Sequence, residues 1–245
     1  MQNMRLDKFL VEAGIGSRTE VKKLLKQKQV QVNGKVETSP KVHIVEAAAD
    51  ITCQGQHLSY EKFVYYLLNK PKGVISATED NYHKTVLDLL DKKAHDKEVF
   101  PVGRLDIDTH GLLLLTNNGN LAHAMLSPKK HVTKIYQAQV EGIMTEEDVD
   151  AFRKGIVLED FTCEPARLSI LEKDQDNQIC HVQITIKEGK FHQVKRMVQS
   201  CGKHVRDLQR VSMGPLVLDE QLKIGSWRPL TKEERVSLKS FGVEL

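Results

Sequence analysis

The segment GRLDIDTHGLLLLTNNG, which runs from Gly103 to Gly119, places an arginine and two aspartates directly before four consecutive leucines. If the backbone here is extended, Asp106 and Asp108 project to the same side of the chain. Two carboxylates on one side can form an acid–base pair, bind a metal ion or simply remain solvated in a loop. Solvation is the commonest outcome for an Asp-x-Asp pair, and the spacing alone does not choose between the two aspartates.

A second charged stretch, EGKFHQVKRMVQSCG, can supply a cation to one of these carboxylates. A helix is predicted to begin near His192, which places Lys195 and Arg196 within its first turns. These cations could face solvent or phosphate, or one of them could reach an aspartate. A buried carboxylate without a partner is driven toward its neutral form, whereas a nearby cation keeps it charged and able to act as a nucleophile.

The pattern of strands and helices predicted around these residues indicates an α+β domain. Strand-like apolar runs return at irregular intervals between helical or loop segments, which indicates a mixed, largely antiparallel sheet. The predicted strands are FVYYLL, GLLLLT, IYQAQVEG and CHVQITIKEG, and the predicted helices are TVLDLLD, TEEDVDAFRKG and HQVKRMVQSCG. The leucine run would anchor its strand in the sheet, so an aspartate at its entrance would be held rigidly.

The first forty residues predict a separate module of two short helices and a hairpin. Apolar residues at helical spacing mark the first helix, and Ser17 with Glu20 forms a capping box that opens the second. Asn33-Gly34 between alternating valines predicts the hairpin. The segment from 42 to about 60 would complete this module and link it onward, which gives predicted domains 1–59 and 60–245.

Positive charge is concentrated in the N-terminal module. Residues 1–41 contain nine lysines and arginines against four acids, an excess larger than the net charge of +3 carried by the whole chain. Arg18, Lys22 and Lys26 lie four residues apart and therefore share one face of the second helix. Such a face is often merely solvated, but it also suits binding to phosphates.

Composition and spacing argue against several classes of protein. Hydrophobic residues make up 40% of the chain and charged residues 28%, as in soluble globular proteins. The N-terminus lacks the apolar stretch of a signal peptide, and no run approaches the roughly 18 apolar residues of a membrane helix. The four cysteines lie far apart and no metal-ligand spacing is present, so we expect thiols, no metal site, no membrane association and a cytoplasmic protein.

The N-terminal segment MRLDKFLVEAGIGSRTEVKKLLKQKQVQVNGKV resembles the S4 RNA-binding domain. The match runs through the RLDKFL opening, the SRTE helix start and the VNGK turn. This resemblance implies that the module binds RNA, and the candidate RNA-binding residues are its basic side chains Arg5, Lys8, Arg18, Lys22, Lys23 and Lys26.

Four further motifs, in order along the chain, resemble the RsuA/RluB/RluE/RluF group of pseudouridine synthases. They are NKPKGVISATED, PVGRLDIDTHGLLLLTNNG, SPKKHVTKIYQAQVEG and EGKFHQVKRMVQSCGKHVRDLQRVSMGPLVLD, and the similarity extends over nearly the whole chain. The resemblance implies an S4 domain followed by a pseudouridine synthase catalytic domain. It also implies isomerisation of a uridine to pseudouridine in ribosomal RNA, a reaction that needs no cofactor.

The resemblance assigns roles to individual residues. The GRLD motif places the catalytic aspartate at Asp106 and makes Arg104 a residue that helps to hold the flipped nucleotide. Tyr136 matches the tyrosine that stacks against the target base. The basic residue that faces the catalytic aspartate aligns with Lys195, where arginine is common in the superfamily, and Arg196 remains an alternative.

The lysine at position 195 resembles the small-subunit branch of the group. We therefore expect a substrate uridine in 16S ribosomal RNA or in a small-subunit assembly intermediate, and a monomeric enzyme. Large-subunit 23S ribosomal RNA is the alternative substrate. A non-catalytic S4-type ribosome-assembly factor and a hydrolase that releases free uracil are the alternative functions.

Deleting residues 1–59 is expected to weaken binding to ribosomal RNA and to make it less dependent on salt. The reason is that each lost phosphate contact removes part of the counterion release on which the salt dependence rests. Equilibrium binding at several salt concentrations measures both effects, and circular dichroism checks that the catalytic domain stays folded. An unchanged salt slope would count against the proposed role of the N-terminal module.

Overall fold

The computed structural model describes residues 3–45, 49–58 and 61–245. Its contacts divide the chain into two compact units, Met1–Lys62 and Phe63–Leu245. The boundary predicted between residues 59 and 60 lies outside the described residues, so the division into 1–59 and 60–245 stays a prediction.

The first unit contains two helices and a set of short strands. The helices are α1 (Leu6–Glu12) and α2 (Arg18–Lys26), and the strands are β1 (Asn3–Arg5), β2 (Val30–Val32), β3 (Lys35–Val36), β4 (His43–Val45), β5 (Ile51–Cys53) and β6 (Gln56–Leu58). Strand β1 pairs with β4, and a second antiparallel sheet has the order β3-β2-β5-β6. Both predicted helices are therefore confirmed.

Local sequence signals decide where the elements of the first unit begin and turn. The Ser17 side chain accepts a hydrogen bond from the Glu20 backbone while the Glu20 carboxylate accepts one from the Ser17 backbone, which confirms the predicted capping box. The β2–β3 hairpin turns at Asn33-Gly34, whose φ angles of 50° and 76° are those that a tight hairpin turn requires. Strands β5 and β6 were not predicted, because three-residue strands are too short to show a period.

The second unit is built on one large sheet with helices beside it. Its strands are β7 (Tyr65–Lys70), β8 (Phe100–Pro101), β9 (His110–Thr116), β10 (Lys134–Glu141), β11 (Arg167–Asp174), β12 (Ile179–Ile186), β13 (His204–Met213), β14 (Leu216–Val217) and β15 (Trp227–Pro229). Its α-helices are α3 (Lys92–Asp96), α4 (Gly119–Leu126), α5 (Glu146–Lys154), α6 (Gln193–Ser200) and α7 (Lys232–Ser237).

The sheet is mixed and largely antiparallel, as predicted. Its order is β11-β12-β10-β13-β9-β7-β15, with β14 beside β13 and β8 beside β9. The β9–β13 pair is parallel, and the other pairs of this sheet are antiparallel. The parallel pair lies in the middle of the sheet and includes β9, the strand that carries the leucine run.

The uninterrupted leucine run follows from burial of β9 on both faces of the sheet. Leu112 and Leu114 belong to one apolar cluster, whereas Leu113 and Leu115 belong to another, and all four side chains are fully buried. Successive side chains of a strand point to opposite faces, so a strand covered on both sides has no polar alternation to show. The strand that follows Asp106 is thus anchored by two cores.

Gly111 allows β9 and β13 to approach each other closely. A Cβ atom at this position would lie 2.3 Å from the carbonyl oxygen of Arg210, and the φ angle of +105° disfavours any side chain. The approach places the guanidinium of Arg210 beside β9, where its Nε donates to the carbonyl oxygen of Leu112 at 2.9 Å. The packing of two backbones therefore fixes an arginine in the interior.

The predicted helices at TEEDVDAFRKG and HQVKRMVQSCG are confirmed as α5 and α6. The helix predicted at TVLDLLD is wrong, because only a 3-10 turn forms at Leu87–Leu89. The carboxylate of Asp88 accepts hydrogen bonds from the backbone and hydroxyl of Thr85, which closes the turn locally. Leu90 is then extended, and Asp91 caps the next helix, α3.

All four cysteines are free thiols, and three of them, Cys53, Cys163 and Cys180, are buried. Burial raises the pKa of the Cys53 and Cys163 thiols. Within residues 3–45, 49–58 and 61–245, no helix is both long enough and apolar enough to cross a membrane.

Candidate active site

A cavity of about 960 Å³ opens in the second unit, and Asp106 lies in its wall. The wall is formed by the loops after β7 and before β9, the first residues of β10, the loop and first turns of α6, and the C-terminal half of β13. Cavities that enclose small molecules typically measure about 300–1,000 Å³. The space is therefore sufficient for one nucleotide.

The main chain of Asp106 is held by hydrogen bonds from two directions. Its carbonyl oxygen accepts one bond from the backbone N–H of Thr109 at 3.1 Å and one from Nζ of Lys70 at 3.1 Å. The first bond closes a turn through residues 107 and 108, so this segment is not extended as the sequence suggested. The turn nevertheless brings the carboxylates of Asp106 and Asp108 to one cation.

Lys70 is a fully buried lysine that bonds to main-chain oxygens rather than to a carboxylate. Its Nζ donates to the carbonyl oxygens of Pro71 at 3.1 Å, Asp106 at 3.1 Å and Thr109 at 2.9 Å. Burial lowers the pKa of Lys70 to about 8. The three bonds tie the end of β7 to the segment that carries Asp106, a positioning role that sequence reasoning missed. The signal was a lysine that ends the apolar run FVYYLLNK.

Lys195 is the cation that meets the aspartates. Its Nζ lies 2.9 Å from Oδ2 of Asp106 and 2.5 Å from Oδ1 of Asp108. Burial alone would lower the pKa of Lys195, but its hydrogen bonds to Asp108 and Asp106 outweigh this effect and raise it. Burial would raise the pKa of Asp108, yet the hydrogen bond from Lys195 brings that pKa below its usual range. One ammonium group thus links both carboxylates.

Arg196, the alternative partner, points elsewhere. Its guanidinium forms an ion pair with Asp160 and lies over the ring of Phe161, 5.3 Å from the centroid. It is not among the residues that line the cavity. The structure therefore brings Lys195, and not Arg196, to Asp106.

Tyr136 and Lys134 lie two residues apart on β10 and share the strand face that lines the cavity. The tyrosine is 8% exposed, so its ring forms part of an enclosed wall. Nζ of Lys134 donates to the carbonyl oxygen of Val132 at 2.9 Å, and burial lowers the pKa of this lysine. Arg104 lies at the same cavity with an exposed side chain.

Arg210 is a second residue that sequence reasoning missed, and it lines the cavity. Its side chain is 2% exposed, and its Nη2 atom is buried without a hydrogen-bond partner among the described residues. A buried polar group without a partner is costly, so an acceptor oxygen on a bound ligand would relieve this cost. The signal in the sequence was an arginine inside the strand pattern LQRVSM, where charge is unusual.

His192 also approaches the carboxylate of Asp106 and was assigned no role from the sequence. Its Nε2 lies 3.6 Å from Oδ1 of Asp106, on the oxygen that Lys195 does not contact. The residue has a φ angle of 49° and immediately precedes α6. The carboxylate therefore has an ammonium group at one oxygen and an imidazole ring near the other.

The candidate RNA-binding residues of the first unit are exposed. Arg18, Lys22, Lys23 and Lys26 all lie on α2 and present their side chains to solvent, as do Arg5 and Lys8. Arg5 is held by both oxygens of Asp7, at 3.0 and 2.7 Å, and this hydrogen bonding lowers the pKa of Asp7. The predicted basic face on α2 is present.

The chain matches two protein families over separate ranges. Residues 64–200 match the model of the RNA pseudouridylate synthase family, and residues 4–46 match that of the S4 domain. The chain belongs to the RNA pseudouridylate synthase family. It is therefore an RNA pseudouridine synthase with an S4 domain at its N-terminus, as the sequence motifs predicted.

Relatives of this pseudouridine synthase align along nearly its whole length. An uncharacterised RNA pseudouridine synthase of Bacillus subtilis (strain 168), YtzG, is 44% identical over 94% of this chain and 96% of the relative. Ribosomal large subunit pseudouridine synthase B of the same organism is 39% identical, covering 97% and 96%. Ribosomal small subunit pseudouridine synthase A of Escherichia coli (strain K12) is 36% identical, covering 96% and 100%.

A solved crystal structure of a pseudouridylate synthase has the same architecture. It superimposes with a TM-score of 0.64 at 35% sequence identity, and the alignment covers 96% of this chain and 99% of the other. The predicted fold class, an S4 domain followed by a catalytic domain with a mixed sheet, is confirmed.

Replacing Lys195 by glutamine is expected to slow pseudouridine formation on the order of 100-fold, the usual cost of losing one preorganised electrostatic contact in an active site. Lys195→Arg should keep most of the activity because it restores the positive charge beside Asp106. Single-turnover assays on ribosomal RNA transcripts measure both rate constants.

The matched control is Arg196→Gln, which removes the neighbouring cation that pairs with Asp160. This variant should retain a rate constant close to that of the unmodified enzyme. A greater loss in Arg196→Gln than in Lys195→Gln would contradict the assignment of the cation.

Proposed function

We propose that this enzyme converts one uridine of 16S ribosomal RNA to pseudouridine, with Asp106 as its catalytic residue. The observation that carries the proposal is the carboxylate of Asp106, fixed in the wall of a nucleotide-sized cavity beside Lys195 and Tyr136. Action on ribosomal RNA is supported by relatives that are named as ribosomal large and small subunit pseudouridine synthases.

The reaction breaks the bond between N1 of uracil and C1′ of the ribose and forms a bond between C5 and the same C1′. The proton of C5 is lost and N1 gains one, so the mass of the RNA does not change. Asp106 either attacks the ribose or the base, or promotes loss of the base. Lys195 donates a hydrogen bond to the carboxylate and so fixes its orientation toward the cavity.

Extruding the target uridine from stacked RNA costs a few kcal/mol, and stacking on an aromatic ring returns about 1–3 kcal/mol per base. Tyr136 supplies such a ring inside the cavity. The unpaired Nη2 of Arg210 supplies a donor for an acceptor oxygen of the nucleotide. Arg104 at the cavity helps to hold the extruded nucleotide.

The S4 domain supports this reaction by binding RNA phosphates. Its exposed cations on α2 add affinity and orientation without reading the target base. We also propose that the enzyme acts as a monomer in the cytoplasm, on 16S ribosomal RNA or on a small-subunit assembly intermediate.

Two observations bear on the choice between ribosomal subunits. The lysine at position 195, where arginine is common in the superfamily, favours the small subunit. The 39% identity to a large subunit pseudouridine synthase makes 23S ribosomal RNA the second candidate.

Mapping pseudouridine in the 16S and 23S ribosomal RNA of cells with and without this protein tests the proposal. We expect one uridine of 16S ribosomal RNA to remain unmodified when the protein is absent and to be modified again when it is restored. If a 23S site is lost instead, the substrate uridine lies in the large-subunit RNA. Unchanged pseudouridine in both RNAs, or release of free uracil by the purified protein, would refute the proposed function.

A further inference from the structure

An exposed pair of stacked rings lies at the edge of the catalytic cavity. Phe191 lines the cavity, yet its side chain is 73% exposed. Its ring stacks on that of His192, with centroids 3.8 Å apart and planes inclined by 16°. A large apolar ring in this position leaves one face without a protein partner in the described part of the chain.

A tight turn holds Phe191 outside the core. His192 adopts the left-handed region with a φ of 49°, a conformation that costs a residue other than glycine some strain. The buried side chain of Gln193 accepts a hydrogen bond from the backbone of Lys190 at 3.0 Å and donates one to Glu188 at 2.7 Å. The loop is therefore anchored on both sides of the phenylalanine.

The ring pair lies near the carboxylate of Asp106. Nε2 of His192 lies 3.6 Å from Oδ1 of Asp106, and the exposed ring of Phe191 stacks on the histidine ring. Three cations, Lys190, Arg104 and Lys195, line the same cavity as the pair. Aromatic rings among cations are the features with which proteins bind single-stranded RNA.

We propose that Phe191, supported by His192, is a stacking platform for the nucleobase next to the extruded uridine. This inference rests on the proposed function, in which one uridine leaves the stack and enters the cavity. The extruded base has Tyr136 inside the cavity, at 8% exposure, whereas the exposed ring of Phe191 is placed for a base that stays outside.

The chemistry of the platform determines what it recognises. Removing one base from a strand leaves the neighbouring base without a stacking partner, and a phenyl ring replaces that partner. Phenylalanine has no hydrogen-bonding group, so the platform accepts any base and adds affinity rather than sequence specificity. The ligand is thus a nucleobase of single-stranded RNA.

The test measures equilibrium binding of a nine-residue oligouridylate to the full-length protein and to its Phe191→Ala and Phe191→Tyr variants. Phe191→Ala should bind about 5- to 150-fold more weakly, the equivalent of about 1–3 kcal/mol of stacking. Phe191→Tyr should bind like the unmodified protein because it keeps an aromatic ring. Leu171→Ala is the matched control, since Leu171 is an exposed apolar side chain on β11 that does not line the cavity.

Salt dependence separates stacking from charge. Phe191→Ala should lower the affinity equally at all salt concentrations, because a phenyl ring releases no counterions. Lys190→Ala should instead flatten the plot of log affinity against log salt by about 0.7 if this lysine contacts one phosphate of a single strand. A Phe191→Ala variant with a flattened slope would overturn the stacking role.

Kinetics on the mapped ribosomal RNA give a second readout. Phe191→Ala should raise KM and leave the single-turnover rate at saturating RNA unchanged, because the neighbouring base takes no part in bond breaking. Unaltered binding of oligouridylate by Phe191→Ala, or a lower saturating rate with unaltered KM, would overturn the inference. If no ribosomal RNA site is found, the proposed function fails, while weaker oligouridylate binding by Phe191→Ala alone would still support the platform.

Discussion

Two lysines hold Asp106, one through its main chain and the other through its carboxylate. Lys70 is fully buried and donates to three carbonyl oxygens, one of them that of Asp106 itself. A buried ammonium group is tolerated only when its hydrogen bonds are satisfied. The three carbonyl oxygens must therefore remain within hydrogen-bond distance of Nζ of Lys70. Lys195 then fixes the side chain of the aspartate at 2.9 Å. The position of the carboxylate is a consequence of these two contacts.

The sheet supplies the rigid frame behind this arrangement. Strands β7 and β9 are neighbours in the sheet, and Lys70 at the end of β7 pairs with Gly111 at the start of β9. The absence of a side chain at Gly111 lets β13 approach and brings Arg210 into the cavity wall. Both faces of the leucine strand are buried, which leaves the segment before it little freedom to move. Packing within the sheet therefore determines the geometry around Asp106.

Local signals and motif order predicted most of the architecture. The long-range contacts could be found only in the structure. The Asn33-Gly34 hairpin, the capping box and α6 could be predicted because each depends on residues close in sequence. The contact of Lys70 with Asp106 spans 36 residues and that of Arg210 with Leu112 spans 98. No periodicity in the sequence predicts contacts over such separations. The choice between Lys195 and Arg196 likewise depends on a helix orientation that spacing near a helix start leaves open. The functional roles of the site residues remain predictions.

If the carboxylate of Asp106 carries out the chemistry, as we propose, an Asp106→Asn variant must lose single-turnover activity. Asparagine preserves the size of the side chain but cannot supply a negative oxygen. At saturating ribosomal RNA we expect the rate of pseudouridine formation to fall by at least about 10⁴-fold, as when the nucleophile of other enzymes is removed, while RNA affinity changes little. An Asp106→Asn variant that forms pseudouridine at the rate of the unmodified enzyme would show that Asp106 is not the catalytic residue.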